Sequence, residues 1–198
     1  MPDARSLAAD RLRLRKTALG VLFLCLASAA PEPEGYWTGD INAPTPATLR
    51  GGQVIHAARV SRLLETGNLV LVDVSNAPRR PDNLAPEAPW LPTIHKAIPG
   101  AIWLPGVGLG TVPDAVDAFF RARLAQATVG DFARPVVIYC HERCWLSWNA
   151  AKRAISYGYR NVSWFPEGIE GWRAKGLSTI DLRPEEVPHG PASSASSG

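Results

Sequence analysis

Residues 135–151 read PVVIYCHERCWLSWNAA, and this stretch decides the fold class. Its first five residues form an apolar run of the kind found in strands that are buried on both faces. Polar residues follow Cys140, and the segment over residues 147–157 has the composition of a helix. The stretch therefore predicts a strand, a tight loop that begins at Cys140, and a helix.

The same order of strand and helix recurs on both sides of this stretch. The predicted segments are, in chain order, a helix over 57–65, a strand over 68–74, a short strand entered through a turn within 97–104, a helix over 114–126, a strand over 135–139, a helix over 147–157, a strand over 161–165 and a helix over 167–174. Strands separated by helices predict an α/β fold with a parallel central sheet and helices on both faces.

The first 29 residues have a composition of their own. Five basic residues precede an apolar run over residues 18–27, and small residues follow at 27–30, an order typical of a secretory signal peptide. The apolar run is shorter than the roughly 18 residues that a membrane-spanning helix requires. We therefore predict a signal peptide over residues 1–29, cleavage after Ala29 or Ala30, and a periplasmic protein without a membrane span.

The remaining chain divides into three parts. Residues 30–52 are rich in Pro, Gly and Thr, and the end of the chain is rich in Pro, Ser and Ala. These compositions predict an extended N-terminal arm over 30–52 and a flexible C-terminal tail over 178–198. Residues 53–177 then form a single domain, which agrees with a chain of 198 residues of which 46% are apolar.

The distribution of charge argues against nucleic acid as a partner. The chain has 21 basic and 18 acidic residues, of which five and two lie within residues 1–29, so 16 of each remain. A neutral chain lacks the basic surface that supplies most of the affinity for nucleic acids. Cys25 also lies in the predicted signal peptide, which leaves Cys140 and Cys144 as the cysteines of the exported chain.

Cys140 is the first candidate for chemistry. It directly follows a predicted central strand, so its sulfur is expected at the carboxyl edge of the sheet, where α/β proteins bind ligands. Loop amides and the positive end of the next helix favour an anion at this place, and they lower the pKa of a thiol. The sequence therefore predicts an approachable, nucleophilic sulfur at Cys140.

Cys144 offers three alternatives, between which the spacing does not decide. In an oxidising compartment the two cysteines form a disulfide if their β-carbons come within about 4.5 Å. Cys144 could also attack an oxidised or persulfidated Cys140 and release the transferred atom. Alternatively, Cys140, Cys144 and either His141 or His95 could bind Cu(I) through soft ligands.

Several motifs resemble a rhodanese domain. They are VVIYC at 136–140, LVDV at 71–74, HKAIPGA at 95–101, GYRNV at 158–162 and PEGIEGW at 166–172, and together they cover residues 53–176. The resemblance implies a single rhodanese-like domain with possible sulfurtransferase activity. It also implies that Cys140 stands where the rhodanese nucleophile stands and can carry a persulfide.

A narrower resemblance rests on Cys140-x-x-x-Cys144-Trp145, followed by SWNAAKRA at 147–154, and on the loop motifs APRRP at 77–81 and PWLP at 89–92. These motifs are similar to those of the PQQ-dependent catabolism-associated CXXCW-motif proteins. This resemblance implies an association with quinoprotein dehydrogenase components. The alternative function is a non-catalytic periplasmic protein that carries copper for, or docks onto, the quinoprotein dehydrogenase and cytochrome system.

The loop and its surroundings supply the candidate substrate-binding residues. A sulfur-containing substrate or a partner thiol is expected to contact His141, Glu142, Arg143, Trp145, Leu146 and Ser147, joined by Arg79 and Arg80 from the loop after the 68–74 strand. Trp145 and Leu146 are predicted at the rim, and Trp148 and Trp90 are candidates for the lining of the site's mouth. Ser147 lies about one residue farther from the cysteine than in familiar rhodanese loops, which predicts a wider loop.

Three other sequence features do not indicate a catalytic site. His141-Glu142-Arg143-Cys144-Trp145 lacks the second histidine of a zinc-protease helix. The glycines over residues 106–110 are too closely spaced for a dinucleotide loop and predict a plain loop. Asp73 is expected to anchor amides of the loop that follows its strand.

Overall fold

The computed structural model describes residues 30–78, 81, 83–89, 91 and 94–188. Within these residues the chain forms seven strands and four helices. In chain order they are β1 (Gln53–Val54), α1 (Ala57–Glu65), β2 (Val70–Asp73), β3 (His95–Ala97), β4 (Ala101–Trp103), α2 (Asp114–Thr128), β5 (Val136–Tyr139), α3 (Trp145–Ser156), β6 (Val162–Phe165), α4 (Gly168–Ala174) and β7 (Ile180–Leu182).

Five strands form a parallel central sheet in the order β1-β6-β5-β2-β4. The middle strand is β5, whose four residues are fully buried. An apolar run of this kind belongs in a strand covered on both faces, which is where the sequence places it. The predicted parallel α/β fold is confirmed.

Helices cover both faces of this sheet, as predicted. Buried residues of α2 and α3 share one hydrophobic cluster with Ile138 and Cys140. Buried residues of α1 and α4 share the other cluster with Val137 and Tyr139. Because successive side chains of a strand point to opposite faces, Cys140 lies on the face that α2 and α3 cover.

The short strand entered through a turn that was predicted within 97–104 is confirmed as β4, and a further strand, β3, precedes the turn. A turn at Pro99–Gly100 separates β3 from β4, and Gly100 has a φ of 83°, which favours glycine. β4 enters the central sheet, whereas β3 pairs with β7 in a separate two-stranded antiparallel sheet. The sequence pattern did not predict β3 or its pairing with β7.

The predicted flexible tail is wrong over its first residues. β7 lies within 178–198 and pairs in register with β3, and the Glu185 amide donates to the carbonyl of Trp103 at 2.9 Å. The Arg123 guanidinium also pairs with the Glu185 carboxylate, and this hydrogen bond raises the pKa of Arg123. The polar composition gave no sign of these contacts, because they depend on elements far away in the sequence.

The N-terminal arm packs against the domain. The Lys152 ammonium on α3 donates to the carbonyls of Pro33, Glu34 and Gly35, and burial lowers the pKa of Lys152. The predicted signal peptide over 1–29 falls outside the described residues. Among the residues that are described, no helix is long and apolar enough to cross a membrane.

Candidate functional site

Cys140 and Cys144 form a disulfide at the carboxyl end of the central strand. Cys140 directly follows β5, Cys144 is the N-cap residue of α3, and their Cα atoms are 6.4 Å apart. The tip of the loop between them, His141, Glu142 and Arg143, is exposed. Of the alternatives that the sequence left open for Cys144, the structure contains the disulfide.

The start of α4 holds the loop in place. The Ile169 amide donates to the carbonyl of Cys140 at 3.0 Å, and the Glu170 carboxylate accepts the Glu142 amide at 2.9 Å. The same carboxylate lies 3.1 Å from Nδ1 of His141. Burial raises the pKa of Glu170, but the hydrogen bonds from His141 and Glu142 outweigh it, so the pKa lies below its ordinary value. Glu170 is therefore a carboxylate at neutral pH.

Ser147 places a hydroxyl against the sulfur of Cys140. Its Oγ lies 3.3 Å from Cys140 Sγ, and Ser147 is fully buried. In the oxidised protein this hydroxyl donates to the carbonyl of Cys144 at 3.1 Å and accepts the indole N–H of Trp164 at 2.9 Å. After reduction the hydroxyl proton can turn towards the Cys140 thiolate, which favours the charged form of the thiol.

The sulfurs are much less accessible than the sequence predicts. Cys140 is fully buried and Cys144 is only 4% exposed. The expectation of an approachable sulfur at Cys140 is therefore wrong for the oxidised protein.

Trp145 and Leu146 do not form a rim. Both are buried, and the ring of Trp145 stacks on Trp37 of the arm with 4.4 Å between the centroids. The Trp145 amide, the first of α3, donates to the carbonyl of Ile41 at 2.9 Å. The arm thus covers the helix start where an anion was expected, and the indole surface is buried by a segment distant in sequence. Trp148 is likewise buried rather than at a mouth.

The role of Asn149 was not predicted from the sequence. This residue holds the N-terminal arm against the domain. Its side-chain oxygen accepts the Trp37 amide at 2.8 Å, and its side-chain NH₂ donates to the carbonyls of Trp37 at 2.9 Å and Gly108 at 3.1 Å. Asn149 is fully buried. The Asn149 side-chain amide on the apolar face of the predicted helix could have indicated this role, because a buried side-chain amide needs hydrogen-bond partners.

The glycine-rich segment over 106–110 is a packing loop. A β-carbon on Gly108 would lie 2.2 Å from the carbonyl oxygen of Leu146, and one on Gly110 would lie 2.1 Å from that of Trp37. Only glycine allows backbones to approach this closely. The interpretation of these glycines as a plain loop is consistent with this geometry.

Asp73 anchors its loop, as expected, on the face of the sheet opposite Cys140. Its carboxylate accepts the Ser75 amide at 2.9 Å and lies 2.8 Å from Nε2 of His95, whose ring stacks on Trp103. Asp73 is in register with Tyr139, and burial together with the Asp73 charge raises the pKa of the Tyr139 hydroxyl. His95 is therefore a partner of Asp73, on the far side of the sheet from the cysteines.

The residues around the cysteines do not fit Cu(I) in this oxidised state. Copper(I) binds thiolates, but both sulfurs are engaged in the disulfide, and His141 is held by Glu170. Within the described part of the chain, no group of three or more His, Cys, Asp or Glu side chains could hold a metal ion. The copper hypothesis therefore concerns the reduced chain alone and stays a prediction.

Three other candidates lie outside the described residues. They are Arg79, Arg80 and Trp90. Their predicted approach to the site stays a prediction.

Fold and site together define an α/β protein whose disulfide-bonded pair of cysteines joins the central strand to a helix. The rhodanese-like domain profile matches residues 56–175, so the chain belongs to the rhodanese-like family. No curated protein matches the chain.

Several solved structures are similar to the chain at low identity. An uncharacterized protein from Saccharomyces cerevisiae is 26% identical with a TM-score of 0.38, over 63% of this chain and 92% of that one. A thiosulfate sulfurtransferase from Pseudomonas aeruginosa is 20% identical with a TM-score of 0.45, over 71% and 22%. A polysulfide-sulfur transferase homodimer from Wolinella succinogenes is 19% identical with a TM-score of 0.43, over 71% and 86%.

Ser147→Ala is expected to destabilise the protein by roughly 2 kcal/mol, because the buried Trp164 indole N–H loses its acceptor. In the reduced variant the pKa of the Cys140 thiol should also rise, since the hydroxyl donor near the sulfur is gone. Chemical denaturation measures the first effect, and the pH dependence of thiol alkylation in a Cys144→Ser background measures the second. Ser163→Ala, a buried serine of β6, is the control and should leave the thiol pKa unchanged. An unchanged pKa of the Cys140 thiol in Ser147→Ala would show that Ser147 does not stabilise the Cys140 thiolate.

Proposed function

We propose that the protein performs thiol–disulfide exchange through Cys140 and Cys144. The observation that carries this proposal is the disulfide at the junction of β5 and α3, with the buried Ser147 hydroxyl 3.3 Å from one of its sulfurs. A thiolate of a small molecule or partner protein attacks one sulfur, the S–S bond breaks, and its electron pair leaves on the other sulfur. A second thiolate then releases the substrate as a disulfide, so the protein gains two thiols and the substrate loses two.

Sulfur transfer is the second candidate, and membership of the rhodanese-like family favours it. In the reduced protein the Cys140 thiolate attacks the sulfane sulfur of a donor. The bond between that sulfur and the rest of the donor breaks, the rest of the donor leaves as an anion, and a persulfide forms on Cys140. The Cys144 thiolate then attacks the Cys140 sulfur, which releases hydrosulfide and restores the disulfide. Both candidates thus share one resting state, and they differ in the substrate that meets the reduced pair.

Titration in glutathione redox buffers at neutral pH tests the exchange function. We expect the native protein to pass reversibly between a form with no alkylatable thiol at Cys140 and Cys144 and a form with two, as counted by mass after alkylation. The chain used carries Cys25→Ala, so that only these two thiols are counted. The proposal would be overturned if the same reductant opened the disulfide in the denatured protein but left it intact in the folded protein.

Sulfur transfer is tested by the formation of thiocyanate from thiosulfate and cyanide. The reduced protein should show weak activity and Cys140→Ala none. Activity that survives in Cys140→Ala would exclude Cys140 as the persulfide carrier.

We further propose that the protein is exported to the periplasm and acts with components of quinoprotein dehydrogenase metabolism. The pattern of residues 1–29 supports export, and the resemblance of the Cys140–Trp145 motif supports the metabolic link. A cell-fractionation experiment with N-terminal mass determination tests the first part. A mature chain that begins at Ala30 or Pro31 in the periplasmic fraction is expected, and an unprocessed cytoplasmic chain would contradict it.

A further inference from the structure

This inference deepens the proposed exchange function and rests on it. The geometry points to Cys144, rather than Cys140, as the sulfur that an incoming thiolate attacks and that carries the mixed disulfide. Cys140 is then the leaving sulfur, which becomes a thiolate beside the Ser147 hydroxyl. This assignment reverses the order that the sequence predicts, in which Cys140 meets the substrate.

The two cysteines differ in exposure. Thiolate attack on a disulfide requires an approach to the attacked sulfur from the side opposite the leaving sulfur. Cys140 is fully buried in the cluster beneath α3, and the buried Ser147 hydroxyl lies against its sulfur. Cys144 belongs to the same cluster but is 4% exposed as a residue, and it directly follows Arg143, the last residue of the exposed loop tip.

The two possible leaving groups also differ. If Cys144 is attacked, the electron pair leaves on Cys140, where the Ser147 hydroxyl can donate a hydrogen bond to the new thiolate across 3.3 Å. If Cys140 were attacked, the thiolate would leave on Cys144, whereas the Ser147 hydroxyl lies against the sulfur of Cys140. A better stabilised leaving thiolate speeds exchange, so both access and stabilisation favour attack on Cys144.

The exchange proceeds in two steps. A substrate thiolate bonds to Cys144 Sγ as the Cys140–Cys144 bond breaks, and Cys140 becomes a thiolate held by Ser147. A second substrate thiolate attacks the substrate sulfur of the mixed disulfide, and Cys144 leaves as a thiolate. Two substrate thiols are oxidised to one disulfide, and the protein disulfide is reduced to two thiols.

Peptide mapping of the wild-type disulfide tests this assignment directly. The oxidised full-length chain with Cys25→Ala is treated briefly with glutathione under native conditions, quenched with acid and alkylated. Trypsin cleaves after Arg143 and so places the two cysteines in different peptides. We expect glutathione on the peptide that begins at Cys144 and alkylated thiol on the Cys140 peptide. Glutathione on Cys140 would overturn the assignment while leaving the exchange function intact.

A pair of single-thiol variants gives a second measurement. In the same background, Cys140→Ser leaves the Cys144 thiol and Cys144→Ser leaves the Cys140 thiol. Under native conditions we expect the Cys144 thiol to react with 5,5′-dithiobis(2-nitrobenzoate) roughly tenfold faster or more than the Cys140 thiol, because access governs thiol reactivity.

The denatured state is the control for these variants. In denaturant the two thiols should react at similar rates, and circular dichroism should show that both native variants are folded. Faster native reaction of Cys140 would overturn the assignment. A wild-type disulfide that never forms a mixed disulfide in the native state would instead overturn the exchange function, and the assignment with it.

Discussion

Gly168→Ala is expected to lower the free energy of unfolding by roughly 3 kcal/mol, because it combines backbone strain with a steric clash. Gly168 has a φ of 52°, in the left-handed region that L side chains rarely adopt. A β-carbon there would also lie 2.1 Å from the carbonyl oxygen of Cys140. That carbonyl accepts the Ile169 amide, so relief of the clash must separate the start of α4 from the disulfide loop.

Gly176→Ala separates the two causes. Gly176 has a φ of 70°, but a β-carbon there would meet no atom within 4 Å. This control should cost about 1 kcal/mol, from backbone conformation alone. Chemical denaturation of both variants measures the difference, and equal losses would contradict the close contact at Cys140.

Gly168→Ala should also speed reduction of the disulfide by glutathione, because the displaced loop exposes the sulfurs. Gly176→Ala should leave this rate unchanged.

Asn149→Ala is expected to destabilise the protein by about 3 kcal/mol, because three buried or partly buried backbone groups lose their hydrogen-bond partner at once. The variant frees the amide and carbonyl of Trp37 and the carbonyl of Gly108. Since Trp37 also stacks on Trp145, loosening Trp37 should release the arm from the start of α3. Limited proteolysis should then cut within residues 30–45 at a protease concentration that spares the wild type.

Asn161→Ala is the matched control. The Asn161 side chain makes no hydrogen bond with the described residues, so this change should alter stability by no more than about 0.5 kcal/mol. A released arm should also make the Cys140–Cys144 disulfide more reactive towards glutathione in Asn149→Ala. Unchanged proteolysis and reactivity in Asn149→Ala would show that the arm does not shield the site.

The local pattern of the sequence predicted the helices and most strands to within about two residues. The main errors were at β3 and β7, which pair with each other from positions far apart in the chain. β1, only two residues long, has no apolar period to reveal it. Short strands of this kind depend on their partners, so their own residues carry little signal.

The candidate site was predicted in its location and not in its accessibility. Cys140 was placed at the carboxyl end of a central strand because a buried strand and a following helix have recognisable patterns. Trp145 and Leu146 were placed at the rim because nothing near them in the sequence covers them. Their cover includes Trp37, which is recruited by Asn149 through hydrogen bonds between segments more than 100 residues apart.

The sequence by itself determined the α/β architecture and the position of Cys140 at the end of a central strand, since hydrophobic periodicity is a property of neighbouring residues. Only the tertiary structure decided that Cys140 is fully buried, that Cys144 is 4% exposed, and that Ser147 lies against Cys140 Sγ. These features depend on which distant segments pack around the loop. Such packing is set by the three-dimensional fit of side chains, which the pattern of one segment does not contain.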